Sequence, residues 1–167
     1  MQPKSNITNK IKPLAELAPV IEQWKSEGKK IVFTNGCFDL LHAGHIAYLS
    51  EAASLGDVLV VGLNDDVSVK SIKGEERPIN DEATRSLLLA AMSFIDAVVL
   101  FQQDTPLEVI KAVLPDVLVK GGDYAIENIV GASETINNGG HVEVLSFLPG
   151  YSSTSIIKKI KMLNSNC

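Results

Sequence analysis

Two histidines, His42 and His45, stand where an apolar run gives way to a helical pattern, within Thr34-Asn-Gly-Cys-Phe-Asp-Leu-Leu-His-Ala-Gly-His45. Ile31-Val32-Phe33 before them reads as a buried strand, and Ile46-Ala47-Tyr48-Leu49 after them reads as a helix running toward Leu55. A helix start exposes unpaired backbone N–H groups and the positive end of the dipole, so it suits phosphate. Gly36 and Gly44 let the backbone turn or a ligand come close. Two imidazoles aimed into such a site can donate hydrogen bonds to phosphate oxygens. A histidine pair at this spacing could instead hold a metal ion, but neither His141 nor Cys167 is an obvious third ligand. Phosphate chemistry is therefore the starting expectation, with any metal ligands unknown.

The bulk properties narrow the class. The chain has 167 residues, enough for one domain with a real core. A net charge of −5 argues against gripping nucleic acid, and 5% aromatic content argues against a base-stacking platform. No stretch approaches the ~18 apolar residues of a membrane span, and Met1 to Lys12 lacks the apolar core of a signal peptide. Cys37 and Cys167 form no disulfide pattern, so a cytoplasmic setting fits.

Elements that would position the histidines follow in order. Residues 1–12 read as a flexible tail, and 13–167 as a single domain with an N-terminal helix over 13–28 and a core over 30–163. The helix carries Leu14, Leu17, Ile21 and Trp24 on one face. Strands are expected at Ile31–Asn35, Asp57–Leu63, Ala97–Phe101, Val117–Lys120 and His141–Ser146. Between them, helices are expected at about Gly44–Leu55, Asp81–Met92 (Leu87, Leu88 and Ala91 inward), Thr105–Val113 and Ala132–Asn138. Thr105-Pro-Leu-Glu108 reads as a capping box with proline at the first helical position. Ser152 and Ser153 cap a last helix through Leu163, with Ile156, Ile157 and Ile160 as a buried stripe. Apolar strands alternating with helices indicate an α/β fold, a Rossmann-like five-stranded parallel sheet covered on both faces. Ligands of such sheets sit beyond the carboxyl ends of the strands, where the key loop leaves the first one. Ser68 to Asn80, with Lys70, Lys73 and Arg77, reads as the longest irregular segment and a possible lid.

No P-loop is present and no G-x-G-x-x-G follows the first strand. The H-x-G-H element, Gly36-Cys-Phe-Asp-Leu-Leu-His-Ala-Gly-His45, resembles the signature of the nucleotidyltransferase superfamily. Phe94-Ile-Asp-Ala-Val-Val99, Lys120-Gly-Gly-Asp123 and Gly150-Tyr-Ser-Ser-Thr-Ser-Ile156 resemble further segments of that family, in the right order. The resemblance implies that an acceptor phosphate attacks the α-phosphate of a nucleoside triphosphate and pyrophosphate leaves. It implies catalytic roles for His42, His45, Lys70, Lys73 and Thr154. Contacts to the nucleotide are implied for Thr34, Asn35, Gly36, Cys37, Phe38 and Gly44 in the first loop, for Lys120, Gly121, Gly122 and Asp123 after the fourth strand, and for Ser152 and Ser153. Acceptor contacts are implied for Asp39, Asn64, Asp65, Arg77 and Arg85, although Asp39 could orient the loop instead. A Mg²⁺ ion is expected on the triphosphate, held mostly by substrate and water.

Within the superfamily the chain is most similar to the adenylyltransferase type of bacterial ADP-heptose synthesis. That type carries Thr-Asn-Gly-Cys-Phe-Asp, and it also resembles this chain at Asn64-Asp65-Asp66, Lys73-Gly74, Arg77-Pro78 and Val119 to Tyr124. The similarity implies ATP as donor and D-glycero-β-D-manno-heptose 1-phosphate as acceptor, with a separate heptose kinase and phosphatase supplying the acceptor. The competing reading is a CTP-dependent cytidylyltransferase acting on glycerol 3-phosphate or a similar monoester. Cys37 and Phe147-Leu148 depart from the Thr and Arg-Thr usual in that type. A non-catalytic nucleotide-binding module on the same fold is the third reading. A homodimer is expected from apolar surface at Phe94–Val99 and on the Trp24 helix.

Overall fold

The structure is a computed structural model that describes residues 7–164. Five apolar runs form one parallel sheet: β1 (Ile31–Gly36), β2 (Val58–Asn64), β3 (Ala97–Phe101), β4 (Val117–Gly121) and β5 (His141–Leu145), in the order β3-β2-β1-β4-β5. β1 is central, with Phe33 level with Val60 of β2 and Leu118 of β4. Because side chains alternate across a strand, β1 sends Ile31 and Phe33 to one face and Val32 to the other.

The first face is covered by α1 (Leu14–Ser26), α5 (Leu107–Val113) and α6 (Ala132–Asn137), through Leu17, Ile21, Ile110 and Ala132. The second is covered by α2 (Ala43–Ala53) and α4 (Glu82–Ala90), through Tyr48, Leu49, Leu89 and Ala90. The chain therefore leaves β1 toward one face and leaves β4 toward the other, which opens a crevice between them at their carboxyl ends. At the opposite edge, three aspartates tie the strand starts together. Asp57 accepts from the Lys30 amide, Asp96 from Leu59 and Asp116 from Ile31, at 2.7, 2.8 and 2.7 Å. These carboxylates satisfy the edge amides.

Several expectations are corrected. Lys70 and Lys73 lie on α3 (Asp66–Lys73), so the irregular stretch is only Gly74–Asn80. Asp65 caps this helix by accepting from the Ser68 amide at 2.8 Å, which competes with an open loop. The capping box at Thr105 does not form: α5 begins after Pro106 with no side-chain cap. On α4 the inward positions are Arg85, Ser86, Leu89 and Ala90, while Leu87, Leu88 and Ala91 are exposed. The last helix, α7 (Ser153–Asn164), buries none of its residues. Both faces of the sheet are already covered, and Ile160 remains at the surface with Met162 and Leu163. Of the expected tail, residues 7–12 are docked on β3: Ile11 bridges to Val98, and the Lys12 amide donates to the Val98 carbonyl at 2.9 Å. Residues 1–6 and Cys167 lie outside the described residues. Of the apolar residues behind the homodimer expectation, Ile95, Val98 and Val99 are fully buried, while Phe94 and Trp24 are half-buried.

Arg85 is the most consequential correction. It is fully buried, and all of its guanidinium nitrogens donate within the protein. Its Nη1 donates to the carbonyls of Cys37 and Asn64, both at 2.7 Å, its Nε to that of Asn80 at 3.1 Å, and its Nη2 to Asp66 at 2.7 Å. One guanidinium thus joins the β1–α2 loop, the end of β2, the start of α3 and the loop before α4. Arg85→Met is expected to lower unfolding free energy by about 3–5 kcal/mol, because the carbonyls lose their donors in the interior. Arg85→Lys should recover only part of this, since an ammonium cannot reproduce the fork. Urea unfolding of both variants checks the ranking.

Candidate functional site

The crevice at the carboxyl edge is a cleft of about 690 Å³. Its floor comes from the loop after β1. Phe38 takes a left-handed backbone (φ 44°), which turns the chain from the strand toward α2. Asp39, one residue on, is fully buried and accepts from the Ile79 and Asn80 amides at 2.8 and 2.9 Å and from the Arg77 guanidinium. Burial alone would raise its pKa, but the Asn80 and Ile79 amides and Arg77 outweigh it and hold the carboxyl below the ordinary aspartate value. These bonds give Asp39 the loop-orienting role, one of the two expected of it. Its hydrogen bonds fasten Gly74–Asn80 to the H-x-G-H segment.

His42 occupies the N-cap of α2. The His45 amide donates to its Nδ1 across 3.4 Å, a long contact that leaves the proton of a neutral imidazole on Nε2. The two rings stack with centroids 3.9 Å apart. Gly44 makes this possible: a Cβ there would lie 3.1 Å from the His42 ring and 3.0 Å from Tyr151 Cβ. Burial lowers the pKa of His42. Burial, then the adjacent His42 charge, lowers His45 to about 4, with the Leu40 backbone pulling the other way. His45 Nδ1 is buried and lacks a hydrogen-bond partner of good geometry. Both rings are therefore neutral at neutral pH, and each carries one N–H donor.

Beside the histidines stands the start of α7, with Tyr151 just ahead of it 6.3 Å from the His42 ring. Ser152 accepts from the Ser155 amide at 3.0 Å as its cap, and Ser153 donates to the Leu40 carbonyl at 3.0 Å, tying the helix to the H-x-G-H loop. Thr154 is exposed at the cleft. Cations line the remaining sides: Lys73 at the end of α3, Arg77, and Lys120 at the end of β4. Burial lowers the Lys120 pKa, and burial raises that of Cys37, so this residue sits at the floor as a neutral thiol.

Of the residues singled out from sequence, Asn35, Gly36, Cys37, Phe38, Asp39, His42, Gly44, His45, Asn64, Lys73, Arg77, Lys120, Gly121 and Ser152–Thr154 line this cleft. Six do not. Thr34 is fully buried and pairs with the Tyr48 hydroxyl at 2.7 Å. Lys70 points to Glu75, 2.5 Å away. Asp65 is the α3 cap and Arg85 the buried clamp, while Gly122 and Asp123 fall outside the lining. Residues that sequence reasoning did not select also reach the cleft, among them Asp104, Thr105, Asn128, Phe147 and Tyr151. Phe147 covers the Gly121 backbone, where a Cβ would come within 2.5 Å of its ring. The two glycines after Lys120 signalled that something packs closely there, but not which residue. As a metal centre the histidine pair fails: no group of three His, Cys, Asp or Glu side chains gathers among the described residues.

The low His45 pKa has a measurable consequence. Folded His45 binds its proton more weakly than the unfolded chain, whose value is near 6.5. Its contribution to stability is therefore fully present above about 6.5 and is lost as pH falls toward about 4. Urea midpoints should fall over that window, and His45→Gln should flatten the fall. An unchanged profile in the variant would place the titration elsewhere.

Comparison with known proteins follows the same geometry. The cytidylyltransferase-like family model matches residues 33–159. Bifunctional protein HldE of Geobacter metallireducens is 58% identical over 151 residues, covering 90% of this chain and 31% of that protein. Its namesake from Citrifermentans bemidjiense is 56% identical over 152 residues, covering 91% and 31%. The chain thus spans about a third of the length of these curated relatives. Among solved structures, the lipopolysaccharide core biosynthesis protein from Thermoplasma volcanium superposes with a TM-score of 0.60 at 30% identity, over 72% of this chain and 98% of that one. Pantoate-beta-alanine ligase from Francisella tularensis shares the fold, with a TM-score of 0.56 at 12% identity over 90% and 76% of the two chains. With its H-x-G-H loop and the adjoining α7 start both inside the matched span, the chain belongs to the cytidylyltransferase-like family.

Proposed function

We propose that the chain is a nucleotidyltransferase that joins ATP to D-glycero-β-D-manno-heptose 1-phosphate, giving ADP-heptose and pyrophosphate. One observation carries the reaction: two stacked neutral histidines at the start of α2 and the adjoining start of α7 line a single cleft together with Lys73 and Lys120. The choice of acceptor and donor is supported by the Thr34–His45 loop and by relatives above 50% identity over most of the chain, one of them named HldE in Geobacter metallireducens. Phe147-Leu148 stands where the CTP-using relatives carry Arg-Thr, which also favours ATP.

The second pKa of a phosphate monoester is ~6, so the acceptor is largely a dianion at neutral pH and needs no base. An acceptor oxygen forms a bond to the α-phosphorus, the bond from that phosphorus to the bridging oxygen breaks, and its electron pair leaves with pyrophosphate. Positioning and fixed donors must then carry the reaction. His42 Nε2–H meets the developing charge, and its donor direction is fixed by the contact at Nδ1. His45, held against the same ring, supplies a second donor. Ser152–Thr154 offer hydroxyls and helix-start amides to the terminal phosphates, since α7 presents its positive end to the cleft. Lys73 holds the acceptor phosphate near the α-phosphate. The described residues provide no cluster to bind Mg²⁺ directly, so an ion accompanying ATP would be held by phosphate oxygens and water.

Pyrophosphate release is to be measured with ATP and CTP, each against heptose 1-phosphate and glycerol 3-phosphate. Release only with ATP and the heptose supports the proposal, whereas release only with CTP and glycerol 3-phosphate replaces donor and acceptor together. No release with any pair, despite ATP binding, favours a non-catalytic module. In the active pair, His42→Ala and His45→Ala should each lower turnover about 10²-fold or more, the scale of one preorganised donor. Near-normal turnover in both would remove the assigned site. Lys73→Ala should raise KM for the sugar phosphate more than KM for ATP, and the reverse order would move Lys73 to the nucleotide.

A further inference from the structure

Two parts of the cleft lining differ in chemistry. The histidines and the α7 start adjoin one another, and Lys73 lies near Lys120 and Cys37 in the same lining. A further part of the lining comes from the α5 and α6 side of the sheet. Asp104 and Thr105 come from the segment between β3 and α5, and Asn128 closes the 3₁₀ turn Ile126–Asn128 ahead of α6. Tight packing brings these segments together. A Cβ on Gly131 would lie 2.6 Å from Ile110 Cδ1, so the turn before α6 rests directly on α5. Pro106, Ile129 and Val130 supply an apolar backing to the same part of the lining.

The geometry points to Asp104, Thr105 and Asn128 as a hydroxyl-reading wall that selects the uncharged polyol part of the acceptor. This rests on the phosphate-transfer reading for its orientation: the acceptor phosphate lies at Lys73, and the rest of the molecule extends away from the histidines. None of the three side chains makes a hydrogen bond with the described residues. They face the cleft with free capacity, one accepting carboxylate, one hydroxyl and one amide that both donate and accept. Such a set matches hydroxyl groups, which are donor and acceptor at once. A second anionic group would meet the Asp104 carboxylate, so a bisphosphate or a carboxylated sugar phosphate is excluded from this wall. The apolar backing suits the C–H surface of a sugar. No lysine, arginine or histidine belongs to the wall, which distinguishes it from the cationic part of the lining.

Binding of heptose 1-phosphate is to be measured by calorimetry in the presence of an ATP analogue with an uncleavable α,β-bridge, alongside pyrophosphate release with ATP. Asp104→Ala and Asn128→Ala should each weaken sugar phosphate binding about tenfold, the scale of losing one or two hydrogen bonds to a charged or amide partner. Thr105→Val should lose less. Affinity for the ATP analogue should stay unchanged, which also shows that each variant is folded. Unchanged sugar phosphate affinity in all three variants overturns the wall, while pyrophosphate release by the unaltered protein would leave the reaction standing. Sugar binding that depends on Asp104 without any pyrophosphate release keeps the wall and removes the reaction. Absence of both binding and release removes both. Tighter, Asp104-dependent binding of O-phosphoethanolamine than of heptose 1-phosphate overturns hydroxyl selection in favour of an ammonium site.

Discussion

The site depends on one buried guanidinium. Arg85 draws the carbonyls of Cys37, Asn64 and Asn80 to a single point, so the ends of β1 and β2 and the loop before α4 cannot move independently. Asp39 completes the connection from the other side by accepting two amides and Arg77. Without these two hubs the H-x-G-H loop would be a surface connection with several conformations. With them it is a fixed floor, and catalysis by positioning needs a floor that does not reorganise.

Charge is laid out along the strand direction. Aspartates close the amino edge of the sheet, where Asp57, Asp96 and Asp116 each accept a strand-start amide. The carboxyl edge carries Lys73, Arg77 and Lys120 together with the starts of α2 and α7. A chain of net charge −5 can therefore still present a locally positive cleft to a polyphosphate. The histidines add donors without adding charge, because burial keeps both neutral in the free protein.

The same constraint explains the asymmetry of the cleft. The chain leaves β1 and β4 toward opposite faces, so the cleft is walled by two unrelated groups of elements. The α2 and α7 side is built from one contiguous loop and one helix start, tied by the Ser153–Leu40 hydrogen bond. The α5 and α6 side is assembled from segments more than twenty residues apart, held by Ile110 against Gly131. The first side carries the histidines and the helix start, and the second carries uncharged and acidic side chains.

The sequence by itself determined the parallel α/β architecture, all five strands to within a residue or two, and the reactive loop with its two histidines. These are local properties: apolar runs, glycine positions and helix-start residues act over a few neighbours. Its family resemblance also singled out Lys73, Lys120 and Ser152–Thr154, and these residues line the cleft. Tertiary structure decided the rest. Arg85 and Thr34 look like ligand groups in sequence, yet burial and their partners Cys37, Asn64 and Tyr48 make them framework. The stripe on α7 stays outside because both sheet faces were already filled, a fact no helical period records. Asp104, Thr105 and Asn128 carry no motif. Only the packing of α5 against the turn before α6 brings them to one wall, and such long-range contacts depend on the whole sheet rather than on any local pattern.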